Sequence, residues 1–102
     1  MYSLVFYVPE THLESVKQAL FLVGAGSIGD YSQCCWQIKG QGQFCPNNQA
    51  TPYIGERGIV EKVDEYRVEM VLKDELKEGV TSALLAAHPY EEAAYHFIPV
   101  QS

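Results

Sequence analysis

The chain has 102 residues, 47% of them hydrophobic, which suits one globular domain with a single packed core and excludes a disordered segment. Thirteen acidic residues outweigh seven scattered basic ones, for a net charge of −6 and a pI near 4.9. No basic stripe is present to neutralise phosphates, so nucleic acid and anionic membranes are excluded as partners, and a protein or small molecule fits better.

In chain order, SLVFYV (3–8) reads as a strand, with Leu4, Phe6 and Val8 on one face and Val5 and Tyr7 on the other. Thr11 and Glu14 stand at capping-box spacing, where each side chain satisfies a free amide. Leu13, Val16, Leu20 and Val23 then recur at helical spacing, and Gly24 suits the C′ position, so 11–23 reads as an amphipathic helix. YSQCCWQIKGQGQF (31–44) predicts a strand, a Gly-Gln-Gly turn and the start of a second strand. CPNNQATPYIGERG (45–58) is a loop long enough to be functional or part of an assembly. VDEYRVEMVL (63–72) is a strand with Val68, Met70 and Leu72 on one face. Asp74 is placed to cap a second helix, 75–87, with Leu76, Val80, Ala83, Leu84 and Ala87 inward. Pro89 pushes His88 out of helical angles and ends that helix, and AAYHFIPV (93–100) is the last strand.

The order β-α-β-β-α-β carries an internal echo at an offset of 64: Tyr2 with Tyr66, Glu14 with Glu78, Val16 with Val80, Ala19 with Ala83 and Leu20 with Leu84. Two β-α halves of one pattern predict an α+β, ferredoxin-like sandwich over 1–102, with strands one and three central and both helices on one face of an antiparallel sheet. The other face is expected to carry Val5, Tyr7, Val71, Tyr95 and Phe97, too apolar to stay bare. Either loop 45–58 folds back over it or another copy of the chain covers it, and self-association is the favoured reading.

No segment has the marks of a targeting or spanning sequence. MYSLVFYVPETH lacks a basic start and is broken by Pro9, and ALFLVGAG is too short for a bilayer. A cytoplasmic protein is expected, and three cysteines without CxxC spacing fit a reducing compartment.

HPYEEAAYHF (88–97) is the densest cluster of chemistry. Its structural reading is complete: His88 sits at a helix C-terminus, where the dipole favours imidazolium, Pro89 stops the helix, Tyr90 buries its ring, and Glu91 and Glu92 lead into the strand. The functional reading is a small-ligand or metal pocket using His88, Glu91 and Glu92, an imidazole-carboxylate set suited to Zn or Cu. If the segment is extended, His88 and His96 are roughly 20 Å or more apart at about 3.3 Å per residue, so one ion could join them only across symmetry copies. Cys34 and Cys35 would face opposite sides of a strand, and Cys45 would return beside one of them as a weaker metal or disulfide pair. The plainer reading is buried small hydrophobes. GAGSIGDY (24–31) follows a helix instead of opening one, so it is a turn and not a phosphate loop. TPYIGERG (51–58) offers Tyr53, Ile54 and Arg57, residue types of recognition surfaces, to which Tyr90 and His96 are added. Pro52, Tyr53 and Ile54 are expected to be at least partly buried.

Two resemblances follow from these blocks. His88 to Glu91 is similar to the His-Pro-Tyr-Glu signature of the CutA divalent-ion tolerance family, whose members are trimers with strands paired between subunits. GAGSIGDY, GQGQF, PYIGE and AHPYEE, in family order and spacing, resemble the PII/CutA-like domain inserted in the NGG-one-interacting-factor-three-like proteins, the YqfO family. The resemblance implies the fold and a tendency to form a dimer or trimer. It also implies a regulatory or ligand-sensing role by analogy with PII proteins, although no phosphate cradle is evident here. The chain reads as a standalone version of the inserted domain, so the two-metal site of the flanking domain is not carried over. The leading expectation is a non-catalytic binding or regulatory module acting through homo-oligomer surfaces. Next stands a CutA-like metal-binding protein with an intersubunit His/Glu site, and last an accessory subunit of a metal-dependent hydrolase whose partner supplies the metal.

Overall fold

The computed structural model describes residues 1–101. β1 (Tyr2–Pro9) leads directly into α1 (Glu10–Leu22), then β2 (Trp36–Phe44), β3 (Glu61–Leu72), α2 (Lys77–Ala87) after a single 3-10 turn at Asp74–Leu76, and β4 (Tyr95–Pro99). The sheet order is β2-β3-β1-β4 with every neighbouring pair antiparallel, so the fold is α+β and ferredoxin-like, with β1 and β3 central. Both helices pack on one face. Leu13, Val16 and Leu20 of α1 and Val80 and Leu84 of α2 meet Leu4, Phe6, Val8, Val68, Met70 and Leu72 from the central strands. The internal echo is thus physical: Val16, Leu20, Val80 and Leu84, the paired positions of the two halves, are all fully buried.

The helix ends differ in how they form. Gly24 takes φ +103°, its N–H bonds the carbonyl of Phe21 (3.0 Å) and the Ala25 N–H bonds that of Leu20 (3.1 Å). This is a Schellman closure, and glycine is needed for its left-handed residue. The expected capping box does not form. α1 begins immediately after Pro9 with no side-chain cap, and the Thr11 hydroxyl turns to His12 Nδ1 (2.9 Å). Asp74 does not cap α2 either; its carboxylate takes the amino group of Met1.

The expected turn at Gly40-Gln41-Gly42 is also absent. β2 runs unbroken from Trp36 to Phe44, pairing Gly40 with Glu65 and Gly42 with Val63. The two glycines keep ordinary φ values. Gly42 serves a close approach instead, because a Cβ there would collide with the Glu65 carboxylate. The hairpin outreaches the sheet: Glu61–Asp64 of β3 pair only with β2, while β1 joins from Glu65 onward. The molecule is accordingly long, 46 × 24 × 23 Å.

Register corrects one further expectation. Phe97 pairs with Leu4 and Tyr95 with Phe6, so both rings point to the helix side and pack on the core. Directly paired residues share a face, and a one-residue shift exchanges the faces. The bare face therefore carries His96 and Ile98 from β4, together with Trp36, Ile38, Val5, Tyr7, Arg67, Glu69 and Val71. It is more polar than expected. Arg67 donates to the Tyr7 hydroxyl (3.1 Å) and pairs with Glu69 (3.3 Å) across its middle. Trp36 (57% exposed), Ile38 and Ile98 remain open.

Candidate functional site

The long loop 45–60 covers only one end of the bare face, around Tyr7 and Glu65, and leaves Trp36, Ile38 and Ile98 open. It crosses the end of the sheet and meets the HPYEE segment. Glu91 Oε1 accepts from the Thr51 N–H (2.9 Å), Arg57 Nε donates to the Ala50 carbonyl (2.6 Å), and the Gly58 N–H reaches the Pro46 carbonyl (2.7 Å). Arg57 is thus a brace of the loop. Pro52 and Ile54 are half-buried, as expected, but Tyr53 is exposed, with its ring edge-on to His12 (centroids 5.9 Å).

His88 locks the other wall. It is 6% exposed, and both of its nitrogens are used by backbone. Nδ1 accepts from the Tyr90 N–H (3.1 Å), which leaves the hydrogen on Nε2 to bond the Tyr7 carbonyl (2.6 Å). Burial pushes the imidazole below its ordinary value, partly offset by the Tyr7 bond and reinforced by His12. The imidazolium expected from the helix dipole is therefore not favoured, and no lone pair is left for a metal. The direction of the shift follows desolvation, and both His88 nitrogens have backbone partners in this arrangement. Residues 88–94 are also bent, so the extended-strand distance to His96 does not apply; His96 lies opposite Val5 on the bare face, away from the groove.

The cysteines are not brought together either. Cys34 and Cys35 precede β2 and Cys45 follows it, so the whole strand separates them, about 30 Å at about 3.3 Å per residue. Cys35 and Cys45 are exposed and not core hydrophobes. Among the described residues no group of three or more His, Cys, Asp or Glu side chains is gathered to hold a metal ion.

Between the loop and the HPYEE segment runs a groove of about 540 Å³, within the size range of small-molecule sites. Its aromatic lining is Phe44, Tyr53, Tyr90 and Tyr7, with Pro46, Pro52 and Ile54 beside them. Tyr90 is central, its ring 6.1 Å from Phe44 and 6.3 Å from Tyr53, tilted in both pairs and not stacked. Glu65, Glu91 and Glu92 supply charge, and none of the lining residues is Lys, Arg or His. The Tyr90 hydroxyl reaches Glu65 at 3.5 Å. Burial raises the Glu65 carboxyl above its usual value, with the Tyr90 contact opposing; burial and Glu65 push the Tyr90 phenol up to about 12. Of the residues singled out from sequence, Tyr53, Ile54, Tyr90, Glu91, Glu92 and Cys45 line the groove, while His88, His96, Arg57 and Cys34 do not. Glu65 and Phe44 were missed. Phe44 closes the GQGQF block, but Glu65 reads as an ordinary solvent-facing strand residue until pairing sets it opposite Gly40 with its side chain leaning over Gly42.

These features define the class: a PII/CutA-like ferredoxin domain with a loop-walled groove at one end of its sheet. CutA from Archaeoglobus fulgidus, a periplasmic divalent cation tolerance protein, superposes with a TM-score of 0.71 over 100% of this chain and 86% of its own, at 16% identity. The PII-like protein CutA from Nostoc sp. PCC 7120 in apo form also gives 0.71, over 98% and 81%, at 16% identity. These likenesses carry the fold alone. The sequence relatives are more specific. The GTP cyclohydrolase 1 type 2 homolog of Mycobacterium leprae is 50% identical over 91 residues (89% of this chain, 24% of that protein), and its Halalkalibacterium halodurans namesake 42% over 100 residues (98% and 27%). A Bacillus cereus protein related to NIF3 matches with a TM-score of 0.84 and 40% identity over 99% of this chain and 26% of that one. The YqfO-family resemblance read from the sequence blocks is borne out: this chain is homologous to one segment of these proteins and spans about a quarter of their length. No protein-family model matches the chain. Among the described residues no helix is long and apolar enough to cross a membrane.

Proposed function

We propose that the chain is a non-catalytic binding or regulatory module that acts through homo-oligomer surfaces and senses a small ligand in the loop-walled groove. The observation that carries this reading is the groove itself, whose aromatic walls and convergent carboxylates have the composition of a recognition site. No nucleophile-base pair accompanies them among its lining residues, which include a cysteine but no histidine or lysine. Oligomer surfaces are offered by Trp36, Ile38 and Ile98 on the bare face and by the unpaired outer edge of β2. The CutA trimer supplies the model for a dimer or trimer here, in a cytoplasmic setting.

A second reading is a divalent-cation site, as the name of the A. fulgidus neighbour suggests for that protein. Glu92 is an exposed carboxylate on the groove, open to ligands from another copy, and Zn or Cu would be the ion. The hydrolase-accessory reading belongs with the longer relatives and their name, and would require a partner that supplies the metal site.

Native mass spectrometry of protein purified without metal resin or chelator tests these readings together. A metal-free dimer or trimer supports the module. Retained Zn or Cu that is lost in Glu92→Gln supports the cation site instead. A metal-free monomer overturns the oligomer reading and turns the search to a protein partner for the bare face.

A further inference from the structure

We propose that the groove recognises an organic cation, a protonated amine or guanidinium group, held against the Glu65 carboxylate between the rings of Phe44, Tyr53 and Tyr90. The proposal rests on the reading of the groove as a ligand site and names the chemistry of that ligand.

Charge decides the sign. Three carboxylates and no basic side chain line the groove, and the nearby Arg57 and Arg67 are engaged by the Ala50 carbonyl and the Tyr7 hydroxyl, so the lining favours a positive ligand over a phosphate or carboxylate. Aromatic faces reinforce the choice, because the negative face of a ring attracts a cation within about 6 Å of its centroid. The rings here are tilted and unstacked, 6.1 and 6.3 Å apart at the Tyr90 hub, so they do not cover one another's faces. An uncharged apolar ligand would use the rings but leave Glu65 without a counter-charge.

Glu65 is built into this arrangement. It is half-buried and takes part in no ion pair among the described residues; its one hydrogen-bond partner is the Tyr90 hydroxyl at the long distance of 3.5 Å. Some carboxylates of this chain do find cations, as Glu14 holds Lys17 at 3.1 Å and Glu69 holds Arg67 at 3.3 Å, but Glu65, although half-buried, does not. In its present position the Glu65 carboxylate occupies space that a Cβ at position 42 would take. A neighbour without a side chain and a carboxylate without a cation, set against aromatic walls, leave the position of a positive charge to the ligand. Burial raises the Glu65 carboxyl, and a cation beside it opposes that shift by favouring the ionised form.

The cation could be a free small molecule or the arginine or lysine side chain of a peptide, and one experiment separates them. The intact protein, labelled with ¹⁵N, is titrated with tetramethylammonium, agmatine, acetyl-arginine-amide flanked by glycines, and the uncharged 3,3-dimethylbutanol. The expected result is saturable shifts of amides in 44–54 and 90–92 with the cations only, weakened about tenfold or more by Glu65→Gln and kept by Tyr90→Phe, which retains the ring. Tighter binding of the peptide than of agmatine assigns the cation to a protein segment, and the reverse assigns it to a free amine. Equal binding of the alcohol, or no response to Glu65→Gln, overturns the cation proposal while leaving a ligand groove. If none of the four probes shifts the groove, both the cation and the ligand-site reading fail. A Glu65→Gln spectrum with native dispersion confirms that any loss is not unfolding.

Discussion

The two faces of one sheet follow opposite rules in this protein. On the helix side, Leu4, Phe6, Val8, Val68 and Met70 sit beneath Leu20 and Leu84 at 3% exposure or less. On the other side, the edge strands β2 and β4 leave Trp36, Ile38 and Ile98 open, while alternate residues of the central strands tie Tyr7, Arg67 and Glu69 into a polar chain. The two histidines of the HPYEEAAYHF segment fall one to each environment: His88 is sealed and fully bonded, while His96 is exposed. The lesson is that residue type does not set a role here. Cover does, and it depends on strand position as well as face: Val5, central on the open face, is 1% exposed.

Substitutions sharpen this contrast. Leu20→Ala or Leu84→Ala should cost about 2–5 kcal/mol in chemical denaturation, since each leaves a cavity in a packed core. His88→Ala should cost about 1–3 kcal/mol, because the part-buried Tyr7 carbonyl and Tyr90 amide each lose a partner. An equal loss in His96→Ala would break the contrast between the two histidines.

Acidification tests His88 without removing it. Its native value lies below the ordinary 6.5, so the unfolded chain takes up the proton first. Stability from this site is complete above 6.5 and is lost as the pH falls from there toward the lowered native value. Denaturant midpoints measured at steps below pH 6.5 should fall in the wild type and fall less steeply in His88→Gln. Smallest in folding terms are Trp36→Ser and Ile38→Ser, expected within about 0.5 kcal/mol in the monomer. The same two variants should weaken self-association in native mass spectrometry. A folding loss near that of Leu20→Ala would show the bare face to be covered in solution.

Much of this arrangement is legible in the residues. Apolar periodicity located β1, β3 and both helices, Gly24 marked the end of α1, Pro89 ended α2, and the repeat at an offset of 64 gave the split β-α-β order. These are local signals, carried by residues within a turn or two of one another. The caps misled because proline can open a helix and Asp74 found a distant amine. The glycines of β2 misled because a close approach and a turn both select glycine.

What only the tertiary structure decided is pairing and register. Whether Tyr95 and Phe97 or His96 and Ile98 faces the helices depends on a shift of one residue against β1, and both alternations are equally regular in sequence. The groove depends on the same step. Glu65, Phe44, Tyr53 and Tyr90 come from two strands and two loops, and no spacing along the chain relates them. The sequence by itself determined the elements, their order and the class of fold, since each rests on neighbours in the chain. Which side chains meet was decided by hydrogen-bonded strand pairing, which acts between residues far apart in sequence.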